Sequence, residues 1–371
     1  MGCGCCKEDP PHCSYNGEVY SETRKHCKRP DPNCSKQWTQ GIGAASGVED
    51  WSLNPIIEAP GLLNWIVGDP TVIQVDKEII MFTNGALGGI QRYVAQTTDP
   101  TFFEDRPPAL IKFGTVRPYI FHDQASNTVT LFYEQYSAPL LFQASYIAAR
   151  QATVGKWRFG RPKKVLLPTL DWEKEGQSRI GNPFVYYNKV KGKYWLYYSC
   201  SSIRLDDSAI DEPKYFGLAE SDNLLGPYTR VLQKPMEIRG EIPGLTVKGY
   251  GSLKIIKNPL ADITEDGGGV ALCNRLTLDE STGVSGSTIS LIRTTDEGLS
   301  WDTVIPKFIG PSFVEDDWKS AYVYAFDTLI NPLDPSTELI YYNARNGYKD
   351  AFEEAGVSRF PVEFIQKAKS G

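Results

Sequence analysis

The chain has 371 residues, long enough for two ordinary domains or for one large all-β domain. With 20 Tyr, 16 Phe and 8 Trp beside 33 Gly and 25 Pro, it is rich in strand formers and turn formers, which indicates a mostly β protein. The net charge of -6 without any segment dominated by Lys and Arg excludes a nucleic-acid partner, and no apolar run is long enough to span a membrane.

The N-terminal segment is rich in cysteine and poor in apolar residues. Six of the eight cysteines lie in its first 34 residues: Cys3, Cys5, Cys6, Cys13, Cys27 and Cys34. Such a segment needs cross-links to hold a structure, so we expect up to three disulfides, a secreted protein, and Asn33 in a glycosylation sequon. Since no apolar stretch at the N-terminus resembles a signal peptide, this location presumes that a leader has been removed.

Two other interpretations of this segment stay open. Gly2 followed by Cys3 is typical of an acylated, membrane-associated N-terminus. His12 and His26 among the cysteines could hold zinc, although no pair of C-x₂-C halves is present. In each case we expect residues 1–48 to form a Cys-rich extension and residues 49–371 to form the β domain.

Past residue 50, one pattern recurs five times. An apolar strand, often opened by X-Pro, is followed by a turn, an aromatic-rich strand and a third strand. The five units begin at Asp69, Arg117, Asn182, Gly251 and Tyr322. Sheets repeated radially form a propeller, so we predict an all-β, five-bladed β-propeller; a sandwich or two stacked β domains would also accommodate short strands.

The fourth unit contains TTDEGLSW, from Thr294 to Trp301. This stretch resembles the Asp-box turn of sialidase-type propellers, in which the Asp and Gly shape a tight turn between outer strands and the Trp packs between blades. The resemblance implies a structural role for the stretch, not a catalytic one.

The propeller prediction places particular residues around one pocket. The first strand of each blade lines the central channel and the second runs back, so the starts of first strands and the ends of second strands lie on one face. The starts are Asp69, Arg117, Asn182, Ser252 and either Tyr324 or Asp327. The ends are Asn84, Glu134, Ser201, Asn274 with Arg275, and Asn343 with Arg345. Amides, arginines and carboxylates among aromatic residues suit sugar hydroxyls and ring faces.

Several stretches together resemble a known family. NPIIEAPG, NWIVGDPTVI, the YYS strand end and the AESDNLLGPY turn are similar to the five-bladed glycoside hydrolases of the arabinanase, levansucrase and invertase superfamily, nearest to family 43. The resemblance covers roughly residues 50 to 350. It implies a glycosidase with a carbohydrate partner, furanosides such as arabinosides as the favoured substrates, and no required cofactor.

The resemblance also implies catalytic roles. Asp69 takes the position of the general base of an inverting hydrolysis, or of the nucleophile in the invertase-like branch. The expected acid is missing, because the chain reads IGNPF where the family opens a blade with E-x-P. Glu134 is the first candidate for the acid, and Glu175 and Glu241 are reserves. The two carboxyl groups must lie about 5 to 5.5 Å apart for retention or about 6.5 to 9.5 Å apart for inversion.

The remaining candidates have plainer interpretations beside the functional ones. Arg117 and Arg345 either form ion pairs between blades or keep the catalytic Asp69 ionised. Cys200 and Cys273 are a disulfide or buried thiols, because no histidine is placed to activate them. The predicted substrate-binding set is Asn84, Arg117, Asn182, Ser252, Asn274, Asp327, Asn343 and Arg345.

We expect no metal in the pocket. The acidic loop of Glu315, Asp316 and Asp317 is a candidate for a structural Ca²⁺, although a solvated loop is the plainer interpretation.

Three functions follow from these observations. A glycoside hydrolase is preferred. A catalytically altered propeller that binds glycans without cleaving them is the main alternative, because the expected glutamate is missing. A lyase or transferase on the same scaffold is the third, because fold does not fix chemistry.

Overall fold

The computed structural model describes residues 37–59, 66–85, 88–137, 143–208, 210–315, 317–347 and 352–371, together with the backbone of two short N-terminal strands. These strands, β1 (Cys13–Tyr15) and β2 (Glu18–Tyr20), pair antiparallel. The predicted disulfides, zinc site, acylation and glycosylation fall outside the described side chains and stay predictions. The same holds for the Ca²⁺ loop, since Asp316 is not described.

Two strands, β3 (Trp38–Gln40) and β4 (Glu49–Trp51), precede three four-stranded antiparallel sheets that follow one another along the chain. Sheet I contains β5 (Gly68–Val75), β6 (Glu78–Asn84), β7 (Ile90–Gln96) and β8 (Asp99–Leu110). Sheet II contains β9 (Thr115–Asp123), β10 (Thr128–Tyr136), β11 (Ser145–Thr153) and β12 (Lys163–Leu166). Sheet III contains β13 (Ile180–Asn188), β14 (Lys193–Cys200), β15 (Tyr215–Ser221) and β16 (Thr229–Arg230).

The remaining strands form a ten-stranded sheet of two parts, joined by a parallel pair between Ser287 and Tyr322. Part IV contains β17 (Glu237–Arg239), β18 (Thr246–Ile255), β19 (Gly269–Asp279), β20 (Val284–Thr294) and β21 (Ser300–Ile309). Part V contains β22 (Tyr322–Ile330), β23 (Thr337–Arg345), β24 (Glu353–Pro361), β4 and β3.

Helical structure is scarce. Two 3₁₀ turns, Asp171–Lys174 and Pro259–Ala261, and one helix, α1 (Glu363–Ser370), complete the described part. None of the helices in that part is long and apolar enough to cross a membrane.

The first strands are arranged as a ring. β5 contacts β9, β9 contacts β13, β13 contacts β18, β18 contacts β22, and β22 contacts β5. The second strands are almost wholly buried, as in β6, where every residue after Glu78 is buried. The predicted all-β class with repeated antiparallel sheets is confirmed, whereas the number of blades stays a prediction.

The TTDEGLSW stretch connects β20 to β21, as the Asp-box resemblance implied. Asp296 accepts a 2.7 Å hydrogen bond from Thr294, and Gly298 has a φ of 89°, which favours glycine. Trp301 is fully buried, and its ring lies 6.4 Å from that of Tyr197 in sheet III. The predicted structural role is confirmed, because this turn and its tryptophan connect part IV to the neighbouring sheet.

Cys200 and Cys273 are free, buried thiols, so the disulfide alternative for this pair is wrong. Burial raises the pKa of the Cys273 thiol to about 12, which keeps it protonated and unreactive.

Candidate active site

A β-bulge interrupts the first strand of every unit at the same level. Each bulge leaves two residues out of register with the second strand: Asp69 and Pro70, Arg117 and Pro118, Asn182 and Pro183, Gly251 and Ser252, and Tyr324 and Ala325. Proline has no N–H to donate, so the first three pairs cannot continue the ladder. Asp69, Arg117 and Asn182 have φ values of 50°, 53° and 45°, a backbone region that residues other than glycine rarely adopt. Bulges redirect side chains, and here they redirect them at one end of the ring.

The bulges align the units and correct two predicted positions. Gly251, not Ser252, is the equivalent of Asp69 in part IV, and Tyr324, not Asp327, is its equivalent in part V. Ser252 is buried, and Asp327 lies three residues further along β22, where it pairs with Tyr341. The predicted position is therefore one residue too late in part IV, and in part V the alternative Tyr324 is right and Asp327 is three residues too late. Neither unit contains the X-Pro pair that marks the bulge.

The bulge residues line a narrow pocket. Its cavity of about 50 Å³ has room for a few water molecules. The lining residues are Asp69, Arg117, Asn182, Ile210, Glu212, Pro213, Gly251, Asn274, Tyr324, Ala325, Asn343 and Glu353. Six predicted residues are thus brought together, the last of them one of two alternatives for its unit: Asp69, Arg117, Asn182, Asn274, Asn343 and Tyr324. The other predicted residues do not line the pocket: Asn84, Glu134, Glu175, Ser201, Glu241, Ser252, Arg275, Asp327 and Arg345.

Three predicted amides hold neighbouring units together at the bulges. Asn84 accepts the backbone N–H of Arg117 over 2.9 Å, and Asn343 accepts that of Asp69 over 3.2 Å. Asn274 donates over 2.7 Å to a backbone carbonyl of β22. Each amide extends from a second strand to the first strand of the next unit. These side chains therefore fix the positions of the bulge residues, in addition to any contact with a ligand.

Glu134 has a different environment from the one expected of a proton donor. Its side chain is fully buried, and its carboxylate lies 2.5 Å from Arg117 and 3.4 Å from Arg179. Burial would raise the pKa of Glu134, but the two arginines hold it below its ordinary value. A general acid must keep its proton at the working pH, so these contacts argue against the predicted role of Glu134.

The two reserve candidates lie outside the pocket. Glu175 is about half exposed; hydrogen bonds from Lys214 and Tyr215 lower its pKa, which does not suit an acid. Glu241 is exposed, beyond β17, where it does not reach the pocket lining. Neither glutamate is placed to protonate a substrate in this cavity.

Glu212 is a pocket residue that sequence reasoning missed. It precedes β15 and is buried, and the hydroxyl of Tyr324 donates to its Oε1 over 2.9 Å. Burial raises the pKa of Glu212, and the charge of Arg345 opposes this only in part. Glu212 is therefore a carboxyl group that keeps its proton more readily than an ordinary glutamate.

Glu353 is the second missed residue. It begins β24, and the amide of Asn343 donates to its Oε2 over 2.6 Å. Burial and the negative charge of Asp69 raise the pKa of Glu353 to about 8. The same Asn343 accepts the N–H of Asp69, so Glu353 is the carboxyl group beside the predicted base.

Asp69 itself is only partly exposed. Burial raises its pKa, and the positive charges of Arg117 and Lys254 oppose that rise without reversing it. Arg117 acts on the pKa of Asp69 in the expected direction, but burial has the larger effect, and the expectation that an arginine keeps this aspartate ionised stays a prediction. The pocket combines three carboxyl groups that all hold protons more tightly than they would in water.

Further along the first strands, beyond the bulges, a second buried carboxylate is paired with positive charges. Asp327 accepts hydrogen bonds from Thr71 over 2.8 Å and from Lys257 over 2.6 Å. Burial would raise the pKa of Asp327, but Lys257 and Lys254 lower it below its ordinary value. Asp327 therefore joins part V to sheet I and part IV and does not present a free carboxylate to a ligand.

Arg345 is buried without a conventional partner. Its guanidinium carbon lies 4.2 Å from the ring centre of Tyr322 and 5.5 Å from that of Tyr324. Its side chain is fully buried, and within the described part of the chain none of its three nitrogens has a hydrogen-bond acceptor. Its positive charge lowers the pKa of Glu212 and of Glu353, so it favours the ionised form of these two pocket residues.

A simple extension of the sequence argument would have found both missed residues. In an antiparallel unit the third strand begins on the same face as the first. Glu353 is the first residue of β24, and Glu212, followed by Pro213, lies three residues before β15, and both of these are third strands.

No protein-family model and no curated protein matches the chain. Solved structures match most of its length. An α-L-arabinofuranosidase from Podospora anserina, in complex with cellotriose, is 12% identical; the match covers 88% of this chain and 98% of that one, with a TM-score of 0.54. An endo-arabinase from Bacteroides thetaiotaomicron is 12% identical over 82% of this chain and 96% of that one, with a TM-score of 0.52.

A third structure, an N-acetylgalactosamine deacetylase from F. plautii in complex with blood group B trisaccharide, is 10% identical over 91% of this chain and 97% of that one, with a TM-score of 0.54. These likenesses show a shared fold. The repeated four-stranded sheets are consistent with the propeller-like fold of glycoside hydrolases. The deacetylase shows that this architecture carries more than one chemistry.

Proposed function

We propose that the chain is a glycoside hydrolase with a five-bladed β-propeller, in which Asp69 is the general base and Glu212 is the general acid. The convergence of Asp69, Glu212 and Glu353 in one pocket carries the proposal. Glycoside hydrolysis needs two carboxyl groups beside the bond, one that has lost its proton and one that keeps it. The blade count is supported by the five first strands, their ring of contacts and their bulges at one level.

The assignment of acid and base follows from position. Asp69 belongs to sheet I, whereas Glu212 approaches the pocket from the connection between the second and third strands of sheet III. Two carboxyl groups from different sides of a pocket can flank a bond held between them. Tyr324 occupies Oε1 of Glu212, so Oε2 is the oxygen that would donate the proton.

Glu353 suits a supporting role. It shares Asn343 with Asp69, and its ionisation would place two negative charges side by side. A protonated Glu353 therefore permits Asp69 to ionise, which a base requires. In this scheme Asp69 takes a proton from a water that attacks the sugar, Glu212 protonates the departing oxygen, and the anomeric configuration is inverted.

Furanosides of the arabinoside type are the proposed substrates. The support is that an α-L-arabinofuranosidase and an endo-arabinase have the same fold. The polar side chains and the single aromatic ring of the pocket lining also suit sugar hydroxyls.

The test measures hydrolysis of arabinan, xylan and a panel of aryl glycosides by wild type and variants. Asp69→Asn should lower kcat on every cleaved substrate at least about 100-fold. Glu212→Gln should lower kcat similarly on arabinan but much less on a dinitrophenyl glycoside, whose leaving group departs without a proton. Glu175→Gln is the matched control, because that glutamate lies outside the pocket, and it should retain full activity.

Three outcomes would contradict the proposal at different levels. Release of no sugar from any substrate by wild type would reject hydrolysis. Equal losses for Glu212→Gln on arabinan and on the dinitrophenyl glycoside would reject its role as acid. Retention of configuration, followed by NMR of the first product, would reject Asp69 as a base that activates water.

A glycan-binding protein that does not cleave is the second candidate, and the size of the pocket favours it. About 50 Å³ is far below the roughly 300 Å³ or more that ligand sites usually offer. A sugar ring would enter only if part of the pocket lining moved. Oligosaccharide binding by wild type without any release of sugar would establish this candidate.

A further inference from the structure

A larger cleft lies on the same face as the pocket. It is bounded by the hairpin between β19 and β20 and by the connection from β21 to β22, and its volume is about 450 Å³. That volume is within the range of sites for small ligands. We call it the outer cleft. Three of its lining residues, Gly43, Gly286 and Gly310, have no side chain to fill it.

In the part of the chain that the structure describes, two polar groups in the outer cleft lack protein partners. The hydroxyl of Thr288 is buried and has no hydrogen-bond partner among the residues that the structure describes. Lys307 is exposed at the margin, and in the described ranges no carboxylate pairs with it. Buried hydroxyl groups are nearly always hydrogen-bonded, so the hydroxyl of Thr288 lacks an acceptor or donor that a ligand would supply.

Phe313 adds an exposed aromatic surface. Its side chain is 66% exposed, and its φ is 54°, a region that is unfavourable for a bulky residue. A strained residue that displays its ring to solvent gains little from packing, and such strain is concentrated at functional sites. An aromatic ring at the margin of a cleft with free hydroxyl-binding groups suits the apolar face of a sugar.

The outer cleft and the pocket share a wall of side chains. Ser285 lines the outer cleft and hydrogen-bonds to the hydroxyl of Tyr322. The ring of Tyr322 stacks on that of Tyr324 at 5.3 Å, and Tyr324 lines the pocket. The two cavities are therefore neighbours, separated by a pair of stacked tyrosines of which Tyr322 is fully buried, so one polymer chain of sufficient length could reach both.

We infer that the outer cleft is a second carbohydrate-binding site, which holds a sugar ring of the same glycan chain that enters the pocket. Phe313 contacts the face of the ring and Thr288 bonds one of its hydroxyl groups. The inference rests on the proposed function for its ligand class. With this second site, the protein binds long glycans more tightly than short ones.

The test uses the Asp69→Asn protein, so that ligands are not degraded, and measures binding by calorimetry. The probes are linear arabino-oligosaccharides of two and eight residues, with xylo-oligosaccharides of the same lengths. Adding Phe313→Ala should weaken binding of the longer arabinan probe about three- to tenfold, the usual range for loss of one aromatic contact, and leave the shorter probe unchanged. Tyr187→Ala is the matched control, because Tyr187 is 41% exposed and lies at the far end of β13.

The outcomes separate this inference from the proposed function. If wild type cleaves arabinan but Phe313→Ala binds both probes as before, the outer cleft is not a carbohydrate site and the hydrolase proposal stands. If no oligosaccharide of either kind binds or is cleaved, both fail. If Phe313→Ala instead converts a dimer to monomers in light scattering, the outer cleft is a contact between copies and the inference is overturned. A thermal melt confirms that each variant folds.

Discussion

The carboxyl groups around the ring of first strands belong to two layers with opposite behaviour. In the pocket layer, Asp69, Glu212 and Glu353 all have raised pKa values. In the paired layer, Glu134 and Asp327 have lowered pKa values. Burial does not separate them, because Glu134 is 0% exposed and Glu212 is 5% exposed.

The two layers differ in whether a positively charged side chain hydrogen-bonds to the carboxylate. Glu134 touches two arginines, and Asp327 touches Lys257. Glu212 instead accepts from a tyrosine, and Glu353 from an amide. A buried carboxylate with a cationic partner stays ionised and joins units, whereas one with a neutral partner keeps a proton that it can give up. The hydrogen-bond partner, more than the depth of burial, therefore separates structural carboxylates from catalytic candidates.

The largest expected effect is in the paired layer. Asp327→Asn keeps the shape of the side chain but removes the charge that Lys257 and Lys254 face. Breaking a buried ion pair leaves an uncompensated charge, so we expect the free energy of unfolding to fall by about 3 kcal/mol. Because the pKa of Asp327 is lowered in the folded state, its contribution is present at neutral pH and is lost as the pH falls through that value. Chemical denaturation at pH 7 and at pH 3 would measure both effects.

The matched control for that variant is an exposed pair of similar length. Lys193 and Glu220 lie 2.7 Å apart, and their side chains are 36% and 30% exposed. Glu220→Gln should change the free energy of unfolding by less than about 1 kcal/mol, because solvent screens such pairs. Equal effects of Asp327→Asn and Glu220→Gln would remove the distinction between the layers.

Much of the fold could be predicted from the sequence, because the repeat is local. The X-Pro pairs at Asp69, Arg117 and Asn182 mark the bulges directly, since proline cannot continue a ladder. Where the pair is absent the prediction was displaced, to Ser252 in one unit and to Asp327 as one alternative in another. The Asp-box turn was also predictable, because its hydrogen bonds join residues only two to four positions apart.

The site was harder to predict because its partners are distant in sequence. Nothing near Glu134 indicates that Arg179, 45 residues away, holds its carboxylate. Glu212 and Tyr324 are 112 residues apart, and Asp69 and Asn343 are 274 apart. The sequence shows which carboxyl groups reach one face, but only tertiary packing decides which of them meet a cation.

In the pocket layer, Glu353→Gln should increase the free energy of unfolding. Glu353 ionises near pH 4.5 in the unfolded chain and near pH 8 in the folded one, so folding requires it to take up a proton between these values. Glutamine mimics the protonated form without that requirement. The gain in the free energy of unfolding should be absent below pH 4.5, grow as the pH rises, and be on the order of 3 kcal/mol near pH 7.

Thermal melts of wild type and Glu353→Gln from pH 4 to pH 8 would measure this gain. A constant difference between the two proteins across that range would show that Glu353 does not hold a proton in the folded state. Glu353 would then belong to the paired layer, and the pocket layer would contain only Asp69 and Glu212.

The smallest expected effect concerns Arg345, which acts on the pocket layer through its charge and not through a hydrogen bond. Arg345 lowers the pKa of Glu212 and of Glu353, so Arg345→Gln should allow Glu212 to keep its proton to higher pH. If Glu212 is the acid, the alkaline limb of kcat/KM should move upward by less than about one pH unit. Arg275→Gln is the control, since Arg275 is equally buried but bonds to Gly240 and Thr303. A merely structural role for Arg345 would lower activity at every pH and leave the limb where it is, because only a change of charge near Glu212 alters its titration.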